Sequence, residues 1–275
     1  MVYLEYDFTV TPSEPGRDVL VAELAELGFE SFVETEEGVK AYIQKVPELS
    51  LDLKALFIVE HNAFQVNWKS KEIPPQNWNA TWEADFHPIH IDGRCGVRAP
   101  FHEPLKVPYD LVIAPKMSFG TGHHETTHLM LQMLLDEDLE DQYVLDMGTG
   151  TGVLAILAEK KGAQLIWAVD IDEWSVANAQ ENIDRNLCKK IQVVKGDAAV
   201  LEGEKFDCII ANINRNILVE DLPKYRKVLK DDGCIFLSGF YESDLGVISA
   251  ACMASNLQLE KKHLKNQWVA AKYVS

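Results

Sequence analysis

Positive charge is scarce in this chain of 275 residues: 26 lysines and arginines stand against 43 aspartates and glutamates, a formal net charge of −17 at pH 7. That balance argues against general binding to nucleic acid, whose phosphates reward Lys and Arg, and favours a basic partner. The deficit is concentrated near the start, where 13 acids face Arg17, Lys40, Lys45 and Lys54 within residues 1–60. An acidic surface there either steers a basic protein or simply confers solubility. Cysteine is sparse as well. Cys95, Cys188, Cys208, Cys234 and Cys252 are scattered and odd in number, with no Cys-x-x-Cys pair, which argues against a disulfide framework or a zinc site and suits a reducing cytoplasm. No stretch approaches membrane-spanning length, and Met1 to Asp7 show no basic segment followed by an apolar run, so a cytoplasmic location without membrane contact is expected. His87 and His90 lie close in sequence but lack a matching carboxylate or thiol, and no metal is expected.

What is present is 47% hydrophobic residues, ample for one large domain and a small one. The chain is organised around Val144-Leu145-Asp146-Met147-Gly148-Thr149-Gly150-Thr151-Gly152, an apolar strand entering a glycine turn ahead of a helix. Glycines at alternate positions allow a sharp bend and leave the main chain bare, so a flat ligand can lie against Gly148 and Gly150. The spacing is not the Gly-x-Gly-x-x-Gly of dinucleotide folds, and a ligand without a pyrophosphate is expected. A second apolar run, Leu165 to Val169, ends in Asp170, about 20 residues beyond the turn, where such folds place an acid on ribose hydroxyls. An adenosine ligand follows. Strand, glycine turn, helix, strand and acid together resemble the class I methyltransferases that bind S-adenosylmethionine.

The rest of the chain falls into place around that stretch. Residues 2–10, Phe29–Thr35, Val39–Gln44 and Phe64–Lys71 read as strands, with helices at Arg17–Leu27 and Leu51–Val59. The order β-α-β-β-α-β is a ferredoxin-like split unit in residues 1–72, and with no catalytic constellation it reads as a recognition domain. Pro74-Pro75 opens a stiff linker, residues 73–87, in which Trp78, Trp82 and Phe86 recur every four residues on one helical face. Residues 88–275 form the catalytic domain: a hairpin about Asp92-Gly93, a strand at Asp110–Ala114, a glycine loop before the helix carrying Thr126 and Thr127, then alternating strands and helices. Helix 174–186, strand 191–194, strand 206–211, a helix to about Leu229, strand 234–237, helix 245–254 and two final strands complete a mostly parallel sheet with a reversed last strand.

The loop motif narrows the reading. Trp78-x-x-x-Trp82-x-x-x-Phe86-His87-Pro88, Phe119-Gly120-Thr121-Gly122-x-His124-x-Thr126-Thr127, Asp146-x-Gly148-x-Gly150-x-Gly152, Asp170-Ile171-Asp172, Ala211-Asn212-Ile213 and Leu237-Ser238-Gly239 resemble, in order and spacing, the PrmA-type ribosomal protein L-eleven methyltransferases. The resemblance implies an S-adenosylmethionine-dependent enzyme that methylates lysine and N-terminal amines of that basic ribosomal protein, recognised through the N-terminal domain. By position it makes Thr127, Gly148, Asp170 and Asn212 cofactor contacts, with Asn212 also orienting the substrate amine as the catalytic residue. Asp197 is an adenine contact or a satisfied loop acid, and His124 a proton acceptor or a structural loop histidine. His123 and Glu125, and Asn214-Arg215-Asn216, depart from the family pattern and bear on the shape of the substrate channel.

Methyl displacement from a sulfonium needs positioning rather than a metal or a covalent nucleophile. Deprotonation is the remaining demand. At pH 7 a free lysine with pKa about 10.4 costs roughly 4–5 kcal/mol to neutralise, an α-amine near 7.7–8.0 only about 1. Other readings are an N-methyltransferase acting on another protein, a nucleobase or a small amine, for which Asn212 stands without the prolines and aromatic of an Asn-Pro-Pro-Tyr motif; a hydride-transferring oxidoreductase, whose glycine spacing is missing; and a ribosomal-protein-binding factor without turnover.

Overall fold

The computed structural model describes residues 2–46, 51–73, 86–116 and 118–275. They fall into two compact units, residues 1–85 and 86–275. The pair Pro74-Pro75 and the tryptophans Trp78 and Trp82 lie outside the described residues. Phe86 is described; it is not helical and packs against His102 and His123, with ring centroids 6.1 and 4.5 Å away.

In the first unit, β1 (Tyr3–Thr11), β2 (Ser31–Glu34), β3 (Gly38–Gln44) and β4 (Gln65–Ile73) form an antiparallel sheet in the order β2-β3-β1-β4. That is the ferredoxin-like order, covered on one face by α1 (Ser13–Glu26). Leu20 and Leu24, one turn apart, are buried with Phe8, Val10, Val39, Ala41 and Ile43. Gly28, at φ +91°, lets the chain leave α1: the Gly28 N–H donates to Ala25 O and the Phe29 N–H to Leu24 O, each at 3.1 Å. The helix expected over Leu51–Val59 is broken. A 3-10 turn at Leu53–Ala55 and a single α turn, α2 (Phe57–Glu60), flank an extended Leu56. The Glu23 carboxylate accepts from the Phe57 and Ile58 N–H groups at 2.7 and 2.9 Å, and so starts a new helix at Phe57.

The second unit begins with a small sheet of β5 (Ile89–Ile91), β6 (Cys95–Arg98) and β7 (Tyr109–Val112). Its hairpin turns at Asp92 and Gly93, both at positive φ. The main sheet comprises β8 (Tyr143–Met147), β9 (Leu165–Asp170), β10 (Ile191–Lys195), β11 (Phe206–Asn212), β12 (Leu229–Tyr241), β13 (Gln258–Lys265) and β14 (Trp268–Val274). Their order is β10-β9-β8-β11-β12-β14-β13, parallel from β10 to β12, with β14 antiparallel to both its neighbours. This is the class I methyltransferase sheet with its reversed last strand.

Alternation along each strand divides the core between the two faces. Val144, Ile166, Ala168, Cys208, Ile210 and Phe236 pack with α3 (Glu125–Asp136), α4 (Val153–Lys160) and α5 (Glu173–Arg185). Leu145, Met147, Val169, Ile209, Ala211, Ile235 and Leu237 pack with α6 (Arg215–Val228) and α7 (Leu245–Ala254). Both faces are covered, so the strands read as nearly continuous apolar runs. Strand order reverses at β8, and the crevice between the carboxyl ends of β8 and β11 is where such sheets take ligands.

Candidate functional site

A cleft of about 580 Å³ opens at that crevice. Its volume suits a small organic ligand, as sites of ~300–1,000 Å³ do. The glycine turn supplies one wall. Gly148, Gly150 and Gly152 all sit at positive φ, and the Gly148 and Thr149 N–H groups donate to Val169 O at 2.8 and 3.0 Å, tying the turn to β9. Asp146, 1% exposed, accepts at Oδ2 from the Thr149 hydroxyl at 2.6 Å and the Ala155 N–H at 3.2 Å. Burial pushes its carboxyl up from 3.8 to about 7, against those two hydrogen bonds.

Asp170 ends β9 on the cleft. Its Oδ2 accepts from the Gly150 N–H at 2.9 Å and its Oδ1 from the Asp172 N–H at 3.0 Å, so the carboxylate is locked while each oxygen keeps a lone pair for a ligand. Asp197 also lines the cleft, and its Oδ1 accepts from the Ala199 N–H at 2.9 Å, capping a 3-10 turn. It is therefore a satisfied loop acid that also borders the ligand space.

Asn212 closes β11 and is nine-tenths buried. Its amide donates to the Thr127 hydroxyl at 3.4 Å, while among the described residues its carbonyl oxygen has no hydrogen-bond partner. Thr127 is fully buried behind Asn212, and it is Thr126 that borders the cleft. The motif's second threonine thus holds Asn212 in place. His124 caps α3: its Nδ1 accepts from the Thr126 N–H at 3.2 Å. In that arrangement the Nδ1 lone pair is engaged at the start of the helix. Its ring packs against Trp268 and Phe119, with centroids 4.7 and 5.1 Å away, in an aromatic wall beside Asn212.

The glycine loop before α3 is bent and pinned. Phe119 O accepts from the Thr151 N–H at 2.9 Å and Gly120 O from the Thr151 hydroxyl at 2.7 Å. A Cβ on Gly150 would strike the Phe119 carbonyl, so glycine is required for the loop to lie on the turn. Sequence reasoning missed the second support. Asn182 accepts from the Ala114 N–H and donates to Thr151 O, each at 2.9 Å, and Asn186 brackets Val112 with bonds of 2.9 and 2.7 Å. The spacing Asn178, Asn182, Asn186, along the inner face of α5 and its C-cap, was the available signal.

Comparison with known proteins decides the family. The family model for ribosomal protein L11 methyltransferase (PrmA) matches residues 14–275. The chain belongs to that family. A relative named ribosomal protein L11 methyltransferase from Porphyromonas gingivalis is 45% identical, over 99% of this chain and 98% of its own length. One of the same name from Bacteroides thetaiotaomicron is 43% identical, over 99% of each. The crystal structure of a ribosomal protein L11 methylase from Lactobacillus delbrueckii subsp. bulgaricus superposes with a TM-score of 0.63 at 28% identity, covering 68% of this chain and 98% of that one.

This member of the PrmA family is a methyltransferase, and its methyl donor is S-adenosylmethionine. The cleft fits that donor. It offers bare main chain at Gly148, a fixed carboxylate with spare lone pairs at Asp170, apolar surface at Met147, Ile171 and Phe119, and an unpartnered buried acceptor at Asn212.

Proposed function

We propose that this chain methylates amino groups of ribosomal protein L11, the substrate named for its relatives, and that it does so in the cytoplasm. The observation that carries the chemistry is Asn212: a carbonyl oxygen without a partner, on a nine-tenths buried side chain at a strand end bordering the cleft. A buried acceptor left unpaired is costly, and an amine N–H is the donor that satisfies it.

In this reading Gly148 and Gly150 present bare main chain to the cofactor, Asp170 accepts from its ribose hydroxyls, and Asp197 borders its adenine. Thr127 acts through Asn212, holding the amide so that the free oxygen faces the acceptor. When bound, S-adenosylmethionine supplies a methyl group on a sulfonium: the amine lone pair forms the N–C bond, the C–S pair stays on sulfur as a neutral thioether, and the proton leaves the amine for solvent. The protein's share is orientation and exclusion of water. Residues 1–72 recognise the basic substrate protein through their acidic surface, residues 73–87 link them to the catalytic part, and residues 88–275 carry out transfer. Among the described residues no helix is long and apolar enough to cross a membrane.

The test is mass spectrometry of purified, unmethylated L11 after incubation with enzyme and S-adenosylmethionine, with Asp170→Ala as control. Mass gains in multiples of a methyl group that disappear in the control are expected. No gain from a wild type that binds the cofactor would overturn the substrate assignment.

A further inference from the structure

One face of α6 borders the cleft: Ile217, Glu220, Asp221 and Lys224, at helical spacing, all line it. The stretch from Ile217 to Lys224 spans about 10 Å of helix, so the stripe leads away from Asn212. Lys224, at its far end, is the cation of the cleft. Among the described residues it is the only lysine or arginine that lines the cleft, against Asp170, Asp197, Glu220 and Asp221. The hydrogen bond and charge of Asp221 raise its ammonium above the ordinary value, and the carboxylates of Glu220 and Asp197 add to that.

Lys224 is also held in place. Its Nζ donates to Asp221 Oδ1 at 2.7 Å. The Asp221 side chain is 9% exposed, and its Oδ2 accepts from the hydroxyl of the fully buried Tyr225 at 3.5 Å. Tyr225, Asp221 and Lys224 thus run from the core to the cleft. Beyond Lys224 lies a second cavity, of about 420 Å³, which it also borders, between α6 and the 3-10 turn that Asp197 caps. The side chain stands where the two spaces meet. An ammonium has three N–H donors; Asp221 takes one, and two remain for a ligand.

Adenine presents its 6-amino donor beside a ring-nitrogen acceptor, N7 on one edge and N1 on the other. A carboxylate and an ammonium at the same end of a cleft are the complement of that pair. We propose that Lys224, positioned by Asp221, donates to N1 or N7 of the cofactor's adenine and, together with Asp197, selects a 6-aminopurine over a 6-oxopurine. The proposal rests on the reading above that Asp197 borders the adenine. A 6-oxopurine would turn a carbonyl oxygen toward the Asp197 carboxylate, acceptor against acceptor.

The test is calorimetry on the full chain with S-adenosylhomocysteine and its analogues. Lys224→Met keeps the aliphatic stem and removes the donors, at a side chain 47% exposed where the fold tolerates the change. It is expected to weaken S-adenosylhomocysteine roughly tenfold and the 3-deaza analogue equally. Either the 1-deaza or the 7-deaza analogue, which already lacks the acceptor, is expected to lose nothing further. Asp221→Asn keeps the ammonium but loosens it, and the same pattern is expected with a smaller loss. Equal losses for all four ligands in Lys224→Met, or none, would overturn the proposal. The placement of adenine has its own control: S-inosylhomocysteine, the 6-oxo analogue, is expected to bind the wild type roughly tenfold more weakly than S-adenosylhomocysteine, and Asp197→Ala to erase that difference. A wild type that binds both alike, or a difference that survives in Asp197→Ala, would overturn the adenine placement and the proposal with it.

Discussion

Replacing Asp146 with asparagine isolates the cost of burying a carboxylate beneath the glycine turn. The amide oxygen can still accept from the Thr149 hydroxyl and the Ala155 N–H, which share one oxygen in the wild type, so the turn keeps its shape while the charge goes. Burial raises the Asp146 carboxyl from 3.8 to about 7. Between those pH values the folded protein holds a proton that the unfolded chain has released. Stability from this group is therefore fully present below about pH 4 and is lost as pH rises through 7. Three pKa units at about 1.36 kcal/mol each amount to roughly 4 kcal/mol at pH 8. Urea unfolding of the full-length cofactor-free wild type and of Asp146→Asn, run in parallel from pH 4.5 to 8.5, cancels contributions from other titrating groups. The variant is expected to gain on the wild type by about 1.4 kcal/mol per pH unit up to pH 7 and to level off above it. A difference independent of pH, or an Asp146 carboxyl that titrates near 3.8 by carbon NMR, would refute the burial argument.

Asp170→Ala removes the carboxylate that accepts from Gly150 and Asp172; S-adenosylmethionine affinity is expected to fall roughly 10- to 100-fold by equilibrium dialysis, and an unchanged affinity would rule out its ribose role. Asn182→Ala strips partners from the Ala114 N–H and Thr151 O at a site with no exposure. Thermal unfolding should reveal a destabilisation of about 2–4 kcal/mol, whereas a variant within about 0.5 kcal/mol of wild type would show that water replaces the lost bonds.

Much of the catalytic unit was legible because its signals are local. The apolar runs ending at Met147, Asp170 and Asn212 are strands buried on both faces, and glycines at alternate positions announce a turn at positive φ. The reversed last strand followed from two strands joined at Lys265-Asn266, too short a connection for a parallel crossover. The second helix of the first unit was misread because its apolar spacing continues through Leu56, whereas the Glu23 carboxylate, 33 residues upstream of that leucine, decides where the helix starts. Thr126 and Thr127 are adjacent in the motif, yet a helix turns successive residues by about 100°, so one borders the cleft and its neighbour sits behind Asn212.

By itself the sequence determined the order of strands and helices, the place of the glycine turn, the acid 20 residues beyond it and the family. Those are properties of periodicity and spacing along the chain. Only the tertiary structure decided which groups are left without partners. Among the described residues the buried Asn212 Oδ1 has no hydrogen-bond partner, while its amide is held by Thr127, 85 residues earlier along the chain. The charge of Asp146 is costly because strands on either side exclude water from it. Hydrogen-bond satisfaction and desolvation depend on everything packed around a group, most of it distant along the chain, and no local pattern of residues records them.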